Sequence, residues 1–347
     1  MRVTVTVNRV ETMPLIESIP DNLNNINIAS SIIFSDMTGT LLYQTEDGNR
    51  FPVETRNLIA NYIALGGTFV LVTGDSFEVV SKQFINHLPS ISHSFFVLTE
   101  SGAEIHKIFE AKHKQLFKAK PLSLTCKKQS LEKCIDFIDS TYNINCKEII
   151  TGSRYESIDK FLMGGRLLIN EITAITNKPF FLEVADYKVT VYAEAGSITG
   201  SPTDVLLSKL RNDKEFQAIA SNNNSILMRG AIYFEIIANS KEQGIRTFFT
   251  VSDQDISHLK NSKSNVDVII LGDSPNDEGM YLYPFNEVFQ FHRQTSVFFG
   301  IEEDFVQSIA KTQRYHNDNF YRLSGTHELG SLEVFRKMIR PRENPRP

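Results

Sequence analysis

The chain has 347 residues, a formal net charge of −5 and three cysteines, and 41% of its residues are hydrophobic. This length allows two domains, or one domain with a large insertion, around a substantial core. The charge gives no reason to expect nucleic acid or an anionic membrane as the main partner, and no apolar run is long enough to predict a membrane span. The N-terminus lacks the continuous apolar segment of a secretory signal, so we expect a cytoplasmic protein, with export by a non-classical route left open.

The three cysteines, Cys126, Cys134 and Cys146, lie close together in sequence but lack CxxC spacing and an accompanying histidine cluster. Neither a zinc site nor a disulfide framework is therefore indicated. We expect reduced thiols with a structural role.

Residues 1–30 predict an N-terminal extension, in which residues 3–7 alternate like a strand and an Asn-rich connector follows. From residue 31 to residue 105, apolar strands such as "SIIFSD" and "TFVLVTGDS" flank the helix-like "VETRNLIANYIALGG". The same alternation of apolar strands and helix-like segments occurs again over residues 233–300, with "NVDVIILGD" as a strand. Continuous apolar strands separated by amphipathic helices predict an α/β fold with a Rossmann-like parallel sheet covered on both faces.

Residues 106–232 interrupt this rhythm and predict an inserted α+β domain, because the helix-like "SLEKCIDFIDSTYN" is followed by the alternating "FFLEVADYKVTVYAE". Polar residues of this segment could contact a substrate or could be ordinary surface residues; they are Arg154, Glu183, Asp186, Lys188 and Tyr192. Residues 301–347 predict a helical extension over "IEEDFVQSIAKTQRY" and then a basic tail, "FRKMIRPRENPRP". The prolines of the tail favour a frayed, solvated end.

Acidic residues follow two of the predicted strands: Asp36 after "SIIFS", and Asp273 with Asp277 in "IILGDSPND". Ligands of open α/β sheets bind at the carboxyl ends of the strands, so these acids can meet in one crevice. Several carboxylates there would repel one another without a cation, and hard oxygen ligands favour Mg²⁺. The alternative is that "GDSPND" is only a helix N-cap and a turn.

Two further elements suit a phosphate group. Thr73 and Gly74 end the strand "VLVT", and hydroxyls and backbone amides at such positions bind phosphate oxygens well. Lys241 begins a predicted helix in "NSKEQGI" and could supply a cation, although a lone lysine at a helix start usually faces solvent.

The ordered series "DMTGT" at Asp36, Thr73, Lys241 and "GDSPND" resembles the motifs of the haloacid dehalogenase (HAD) superfamily of phosphotransferases. The interval from Asp36 to Thr73 is too short for a cap domain, whereas the interval from Thr73 to Lys241 holds residues 106–232. That placement is similar to the type II (C2B-like) capped members. "VLTESGAEI" and "SILMRGAIYFEIIANSKEQGI" look most like the branch of mannosyl-3-phosphoglycerate phosphatase, sucrose-phosphatase and the Cof-type proteins.

The resemblance implies a core of residues 31–105 and 233–300, a cap of residues 106–232, and a role for each motif residue. Asp36 would be the nucleophile that forms an aspartyl-phosphate. Mg²⁺ would be bound by Asp36, the backbone carbonyl of Thr38 and Asp273, while Asn276 and Asp277 complete the metal site and orient Lys241. Thr73, Gly74 and Lys241 would hold the phosphoryl oxygens.

Thr38 departs from the family pattern, in which most phosphatases carry a second Asp as the general acid and base. A threonine hydroxyl is too weak an acid to replace it, and such help is worth roughly 10²–10⁴-fold. We therefore expect an Mg²⁺-dependent phosphatase or phosphotransferase biased to aryl phosphates, phosphotyrosine among them, or to acyl phosphates. "DMTGT" and "TGDS" also resemble the "DKTGT" and "TGD" of P-type ATPases, in which the phosphoenzyme persists.

Three functions stay open. The chain could act on a phosphorylated small molecule or a phosphoprotein with a restricted leaving group. It could be a sugar-phosphate phosphatase whose cap lends the acid. It could also be a catalytically weakened HAD fold used for binding or regulation. The retention of Asp36, Lys241, Asp273 and Asp277 favours an enzyme, because a binding module has no physical need for these charges in one crevice.

Overall fold

A computed structural model describes residues 21–45, 48–110, 112–177, 179–193, 202–229, 233–299, 319–323 and 327–343. The strand predicted for residues 3–7 and the helix predicted for residues 301–315 lie outside these ranges. No helix in the described part of the chain combines the length and the apolar character needed to cross a membrane. The three cysteines are buried and form no disulfide.

The described strands and helices alternate along much of the chain. The strands are β1 (Ser31–Ser35), β2 (Tyr43–Thr45), β3 (Gly48–Arg50), β4 (Thr68–Val72), β5 (Phe95–Thr99), β6 (Glu104–Phe109), β7 (Lys112–Lys118), β8 (Arg166–Leu168), β9 (Phe180–Val184), β10 (Lys188–Ala193), β11 (Ile226–Arg229), β12 (Tyr233–Ile237), β13 (Val266–Gly272), β14 (His292–Phe299) and β15 (Asn319–Leu323). The α-helices are α1 (Val53–Ala64), α2 (Phe77–Gln83), α3 (Leu124–Tyr142), α4 (Cys146–Thr151), α5 (Ile158–Phe161), α6 (Asn170–Thr176), α7 (Pro202–Asn212), α8 (Lys214–Asn222), α9 (Lys241–Val251), α10 (Ser257–Lys260), α11 (Glu278–Tyr281) and α12 (His327–Glu343).

The large sheet has the strand order β15-β14-β13-β1-β4-β5-β6-β7. Its strands from β15 to β5 run parallel, and β6 and β7 extend it antiparallel. Every residue of β1, β4, β5 and β13 is buried. Ile33 packs with α1, α2 and α12 on one face, whereas Ile32 and Phe34 pack with α9 and α11 on the other. The predicted α/β fold with a mostly parallel, doubly covered sheet is confirmed.

The second sheet is antiparallel throughout, with the order β11-β12-β10-β9-β8, and it packs against α3, α7 and α8. The strand pairing places both boundaries of the insertion at later residues than the predicted 106 and 232. Strands β6 (Glu104–Phe109) and β7 (Lys112–Lys118) belong to the large sheet, so the insertion does not begin at residue 106. Tyr233–Ile237 pairs between β10 and β11, so the small sheet extends beyond residue 232. The apolar "IYFEII" had looked like a core strand because a central strand is buried whichever sheet contains it.

The sequence-based expectation of a frayed C-terminal tail is also wrong. Helix α12 continues to Glu343 and buries Val334, Phe335 and Met338 in the same core cluster as the N-terminal Leu23. The apolar residues of α12 recur at helical spacing and form a stripe that packs against α1. Arg336 is not a solvated tail residue either, because its guanidinium pairs with Glu54 at 2.8 Å (Nε to Oε1).

We predict that Phe335→Ala destabilises the whole core. The ring lies with its centroid 6.4 Å from that of Tyr62 and 6.5 Å from that of Phe69, so its removal leaves a cavity between α12, α1 and the sheet. The free energy of unfolding should fall by about 3–5 kcal/mol in urea titrations. Glu333→Ala on the exposed face of the same helix is the control and should change it by less than about 0.5 kcal/mol. A loss of less than about 1 kcal/mol in the free energy of unfolding for Phe335→Ala would contradict this prediction and support a frayed C-terminal tail.

Candidate active site

The ends of three adjacent strands bring the predicted site residues together. Asp36 directly follows β1, Asp273 follows β13 and Thr73 follows β4, and β1 lies between the other two strands. The backbone amide of Asp36 donates to the carbonyl of Leu271 at 2.9 Å, so the hydrogen bonding between β1 and β13 continues into the site. One carboxylate oxygen from each of Asp36, Asp273 and Asp277 lies within 4.8 Å of the others. The predicted acid cluster at this edge is therefore present in the structure.

Lys241 links two of these acids. Its Nζ donates to Asp36 Oδ1 at 2.6 Å and to Asp277 Oδ1 at 2.5 Å. The side chain is 0% exposed, so the alternative of a solvent-facing lysine does not hold. Ser240 caps α9, and its hydroxyl and amide exchange hydrogen bonds with Gln243, which fixes Lys241 as the first residue of the helix.

A close backbone contact sets the position of α9. Gly102, with φ +88°, lies against Gly244 of α9, and a Cβ on Gly102 would come 2.3 Å from the Gly244 Cα. Only two glycines allow this approach, because any side chain on either would separate the helix from the end of β5. The contact holds the start of α9, and with it Lys241, at the crevice.

Asp277 combines two roles that the sequence left as alternatives. Its Oδ2 accepts the backbone amides of Asp273 at 2.9 Å and Ser274 at 3.1 Å, which is the capping turn expected of "GDSPND". Its other oxygen, Oδ1, accepts from Lys241. The helix-capping turn and the acid cluster are therefore the same structure. The two amides that Asp277 caps orient its carboxylate toward Lys241.

The turn after Asp36 encloses Asp273. Gly39 adopts φ +86°, and a Cβ there would lie 2.0 Å from Asp273 Oδ2. Thr40 Oγ1 donates to Asp273 Oδ1 at 3.2 Å. Position 39 therefore requires glycine for two reasons: its backbone is left-handed, and the Asp273 carboxylate leaves no room for a side chain.

Burial dominates the electrostatics of the cluster. It raises the pKa of Asp36 to about 7, against the lowering effect of the Lys241 ammonium. Burial together with Asp36 and Asp277 raises the pKa of Asp273 well above its usual range. Although burial disfavours the Lys241 ammonium, Asp277 and Asp36 raise its pKa. Three carboxylates face one ammonium, and a set of hard oxygen donors with excess negative charge fits Mg²⁺.

Thr38, the residue that replaces the usual second acid, is exposed and points to a carboxylate that the sequence analysis did not single out. Its Oγ1 donates to Asp75 Oδ2 at 3.4 Å, and Thr73 Oγ1 donates to the same oxygen at 3.0 Å. Asp75 also contributes to the raised pKa of Asp36. The signal was present in "TGDS", where Asp75 follows the phosphate-binding pair Thr73–Gly74.

The inserted domain reaches the same crevice. Asn276 Nδ2 donates to the hydroxyl of Tyr233 on β12 at 2.6 Å. Lys188 on β10 donates to the Gly74 carbonyl at 3.0 Å and pairs with Glu235 on β12 at 3.3 Å. Sequence reasoning missed Tyr233 and Glu235 because their strand was assigned to the core.

Of the polar candidates in the inserted domain, only Lys188 is placed at the site by its contacts. Arg154 stacks on Tyr155, and Glu183 pairs with Arg166 within the small sheet's own domain. Asp186 pairs with Lys127, and Tyr192 packs against Phe181. These four contacts are those of ordinary structural or surface residues.

Comparison with known proteins agrees with the motif series. A model of the haloacid dehalogenase-like hydrolase family matches residues 33–283. No curated protein matches at a significant level. Solved structures that are similar include a trehalose-6-phosphate phosphatase from Aspergillus fumigatus (12% identity, TM-score 0.47, covering 91% of this chain and 96% of that one), a HAD subclass IIB sugar phosphatase (14%, 0.45, 88% and 98%) and a haloacid dehalogenase-like hydrolase from Bacteroides thetaiotaomicron (17%, 0.48, 89% and 99%).

We predict that Mg²⁺ stabilises the fold and does so more strongly as the pH rises. A raised carboxyl pKa in the folded state makes the metal-free protein less stable as the pH rises from about 4 to about 7, because the native acids must release protons. Mg²⁺ binds the ionised acids, so its stabilisation should grow over the same range and approach about 2.7 kcal/mol at one hundred times its dissociation constant.

Thermal unfolding at several Mg²⁺ concentrations, from about pH 5 to about pH 8, measures this effect. Asp273→Asn should remove most of the shift in melting temperature. The matched control is Asp253→Asn, because Asp253 is an exposed acid that pairs only at the surface with Lys260. The metal site would be excluded if wild type showed no shift at millimolar Mg²⁺, or if Asp273→Asn kept the full shift.

Proposed function

Because this chain belongs to the haloacid dehalogenase-like hydrolases, with residues 33–283 matching that family, we propose that it is an Mg²⁺-dependent phosphatase or phosphotransferase that works through Asp36. The observation that carries the proposal is the buried Lys241, which bridges Asp36 and Asp277 at the edge where three parallel strands end. Charged groups are costly to bury, and function gives a reason to keep them.

The proposed reaction begins with Asp36 Oδ attacking phosphorus while the bond from phosphorus to the leaving oxygen breaks, and an aspartyl-phosphate results. Water then cleaves that intermediate and releases phosphate. Lys241, the Gly74 amide and the Thr73 hydroxyl, once it turns from Asp75 to the substrate, hold the phosphoryl oxygens. Mg²⁺, when bound by Asp36, the Thr38 carbonyl and Asp273, would neutralise part of the transferring charge.

Asn276 and Asp277 hold the catalytic lysine and the metal-site turn in place. Asp277 holds the Lys241 ammonium, and Asn276 is fixed between Ser274 and the Tyr233 hydroxyl. Second-layer contacts of this kind orient metal ligands and catalytic cations. Tyr233 belongs to β12, so the small sheet contributes to the site's alignment.

The leaving group is restricted by Thr38. Its hydroxyl cannot protonate an alkoxide at neutral pH, so groups that depart with little protonation should react best. We propose aryl phosphates, including phosphotyrosine in a phosphoprotein, or acyl phosphates of small molecules as the favoured substrates. A second candidate is a sugar-phosphate phosphatase with an acid from the cap, favoured by the placement of Glu235 beside Lys188, which contacts Gly74.

We expect Mg²⁺-dependent hydrolysis of p-nitrophenyl phosphate, a phosphotyrosine peptide and acetyl phosphate to exceed hydrolysis of sugar phosphates by about tenfold or more. Asp36→Asn should abolish turnover while the protein stays folded, since Asn retains the shape of Asp but is a poor nucleophile. Asp253→Asn should behave as wild type. Full activity of Asp36→Asn would show that Asp36 is not the nucleophile. If the wild-type protein hydrolysed none of these compounds, a binding or regulatory role would be favoured.

A second prediction concerns Thr38 and Asp75 together. Thr38→Asp restores the family's usual acid but places it against Asp75, whose Oδ2 is 3.4 Å from the present hydroxyl. Like charges so close repel, so the single variant should gain little alkyl-phosphatase activity. The double variant Thr38→Asp with Asp75→Asn should gain about tenfold or more over wild type.

A double-mutant cycle on one alkyl phosphate tests this coupling, with Asp75→Asn alone as the third corner. Additive effects of the two substitutions would show that Asp75 does not oppose an acid at position 38. A large gain from Thr38→Asp alone would show that the missing acid, and not its neighbour, limits the rate.

A further inference from the structure

The central strands of the small sheet, β10 and β12, have one apolar face and one polar face. Their apolar residues are buried in the core of the inserted domain: Val189, Val191, Phe234 and Ile236. The alternate positions lie on the other side of the sheet and form its polar face, which consists of Lys188, Thr190, Tyr192, Tyr233 and Glu235. The polar face is therefore the side of the small sheet that is turned away from the core of its own domain.

The polar face contacts both sides of the crevice. Lys188 donates to the carbonyl of Gly74, in the loop after β4, at 3.0 Å. The Tyr233 hydroxyl accepts from Asn276 Nδ2 at 2.6 Å, in residues 273–277, which form the metal-site turn after β13. Strands β4 and β13 flank β1 in the large sheet. Two paired strands of the inserted domain thus reach the phosphate loop on one side of β1 and the metal-site turn on the other.

Asn276 is held at both ends of its side-chain amide. Its Oδ1 accepts the Ser274 hydroxyl within the turn, and its Nδ2 donates to Tyr233 in the inserted domain. The residue is 7% exposed, and the short 3-10 helix that contains it, Pro275–Asp277, packs against β11 of the small sheet. A buried amide that loses its hydrogen-bond partner is destabilising. The conformation of the metal-site turn therefore depends on a hydroxyl that the inserted domain supplies.

The same turn carries two of the three clustered acids, Asp273 and Asp277. The Asp277 carboxylate is bonded to the turn itself, because its Oδ2 accepts the amides of Asp273 and Ser274. A change in the backbone of the turn would therefore move both carboxylates relative to Asp36. Outer contacts that hold metal ligands in place matter for binding, and their loss typically lowers metal affinity by roughly 10–100-fold.

We propose that Tyr233 is a positioning residue that couples the inserted domain to Mg²⁺ binding, because its hydroxyl holds Asn276 and the metal-site turn. The inference rests on the Mg²⁺ site of the proposed function. Coupling of this kind is reciprocal, so Mg²⁺ favours the contact between the small sheet and the turn by the factor by which that contact favours Mg²⁺. The metal site then reaches its full affinity only while the inserted domain covers the crevice, which is when a substrate is enclosed.

Tyr233→Phe tests the role, because it removes the hydroxyl and keeps the ring in β12. The dissociation constant of Mg²⁺, measured by calorimetric titration of the full chain, should rise about tenfold. The matched control is Tyr187→Phe, which removes another hydrogen bond between the domains, from the Tyr187 hydroxyl to Glu104 Oε1 at 3.1 Å. Glu104 belongs to β6 and not to the metal-site turn, so the control should keep the wild-type dissociation constant.

The control also separates positioning from a structural role. Either substitution can lower the melting temperature of the metal-free protein, since each removes one hydrogen bond. Only Tyr233→Phe should change the dissociation constant of Mg²⁺. Circular dichroism checks that both variants are folded before the titrations.

A double-mutant cycle tests whether the hydroxyl acts through Asn276. Asn276→Ala alone should weaken Mg²⁺ binding, because it removes the side chain that Tyr233 holds. Adding Tyr233→Phe to Asn276→Ala should then raise the dissociation constant by less than about twofold more.

A dissociation constant of Tyr233→Phe within about twofold of wild type, or an equal rise in Tyr187→Phe, overturns the role of Tyr233 while the proposed function stands. Fully additive effects in the cycle overturn it too, because the hydroxyl would then act by a route other than Asn276. Wild type that binds no Mg²⁺ at millimolar concentration overturns the metal site and the proposed function together. Mg²⁺ binding that depends on Tyr233, in a protein without phosphatase activity, would overturn the proposed function and keep the coupling.

Discussion

The ammonium of Lys241 lies between the buried carboxylates of Asp36 and Asp277, and the surrounding structure has to keep these three charges together. Removing one partner of such a buried set leaves an uncompensated charge, which typically costs about 3–5 kcal/mol. The three residues come from the end of β1, the start of α9 and the turn after β13, so the interaction ties distant parts of the chain to one point. The parallel sheet provides the common edge, and α9 brings the lysine to it.

Backbone features, more than side-chain packing, set this geometry. The Gly102–Gly244 contact brings α9 close to the end of β5, and the left-handed Gly39 lets the turn after Asp36 close over Asp273. The amides of Asp273 and Ser274 hold one oxygen of Asp277 and leave the other for Lys241. These contacts fix the acids before any ligand binds, which is the preorganisation that electrostatic catalysis requires.

Sequence reasoning succeeded where the signal was local and repeated. Fully buried strands such as β1 and β13 are continuous apolar runs, and acids at their ends must share an edge if the strands are parallel neighbours. Lys241 was ambiguous alone, and only its order among the other motifs pointed to the site. Local patterns do not reveal partners, however. Nothing in "FRKMIRPRENPRP" says that a stripe on α12 has a matching groove on α1, so the tail was misjudged.

The same limit explains why Asp75 was missed, because no local pattern says that its carboxylate lies against the Thr38 hydroxyl. An acid at position 38 would be exposed, since Thr38 is, and water would favour its ionised form near neutral pH. Any acid lent to the leaving group would therefore have to come from another element, and the inserted domain reaches the crevice through Lys188, which contacts Gly74, and Tyr233, which holds Asn276.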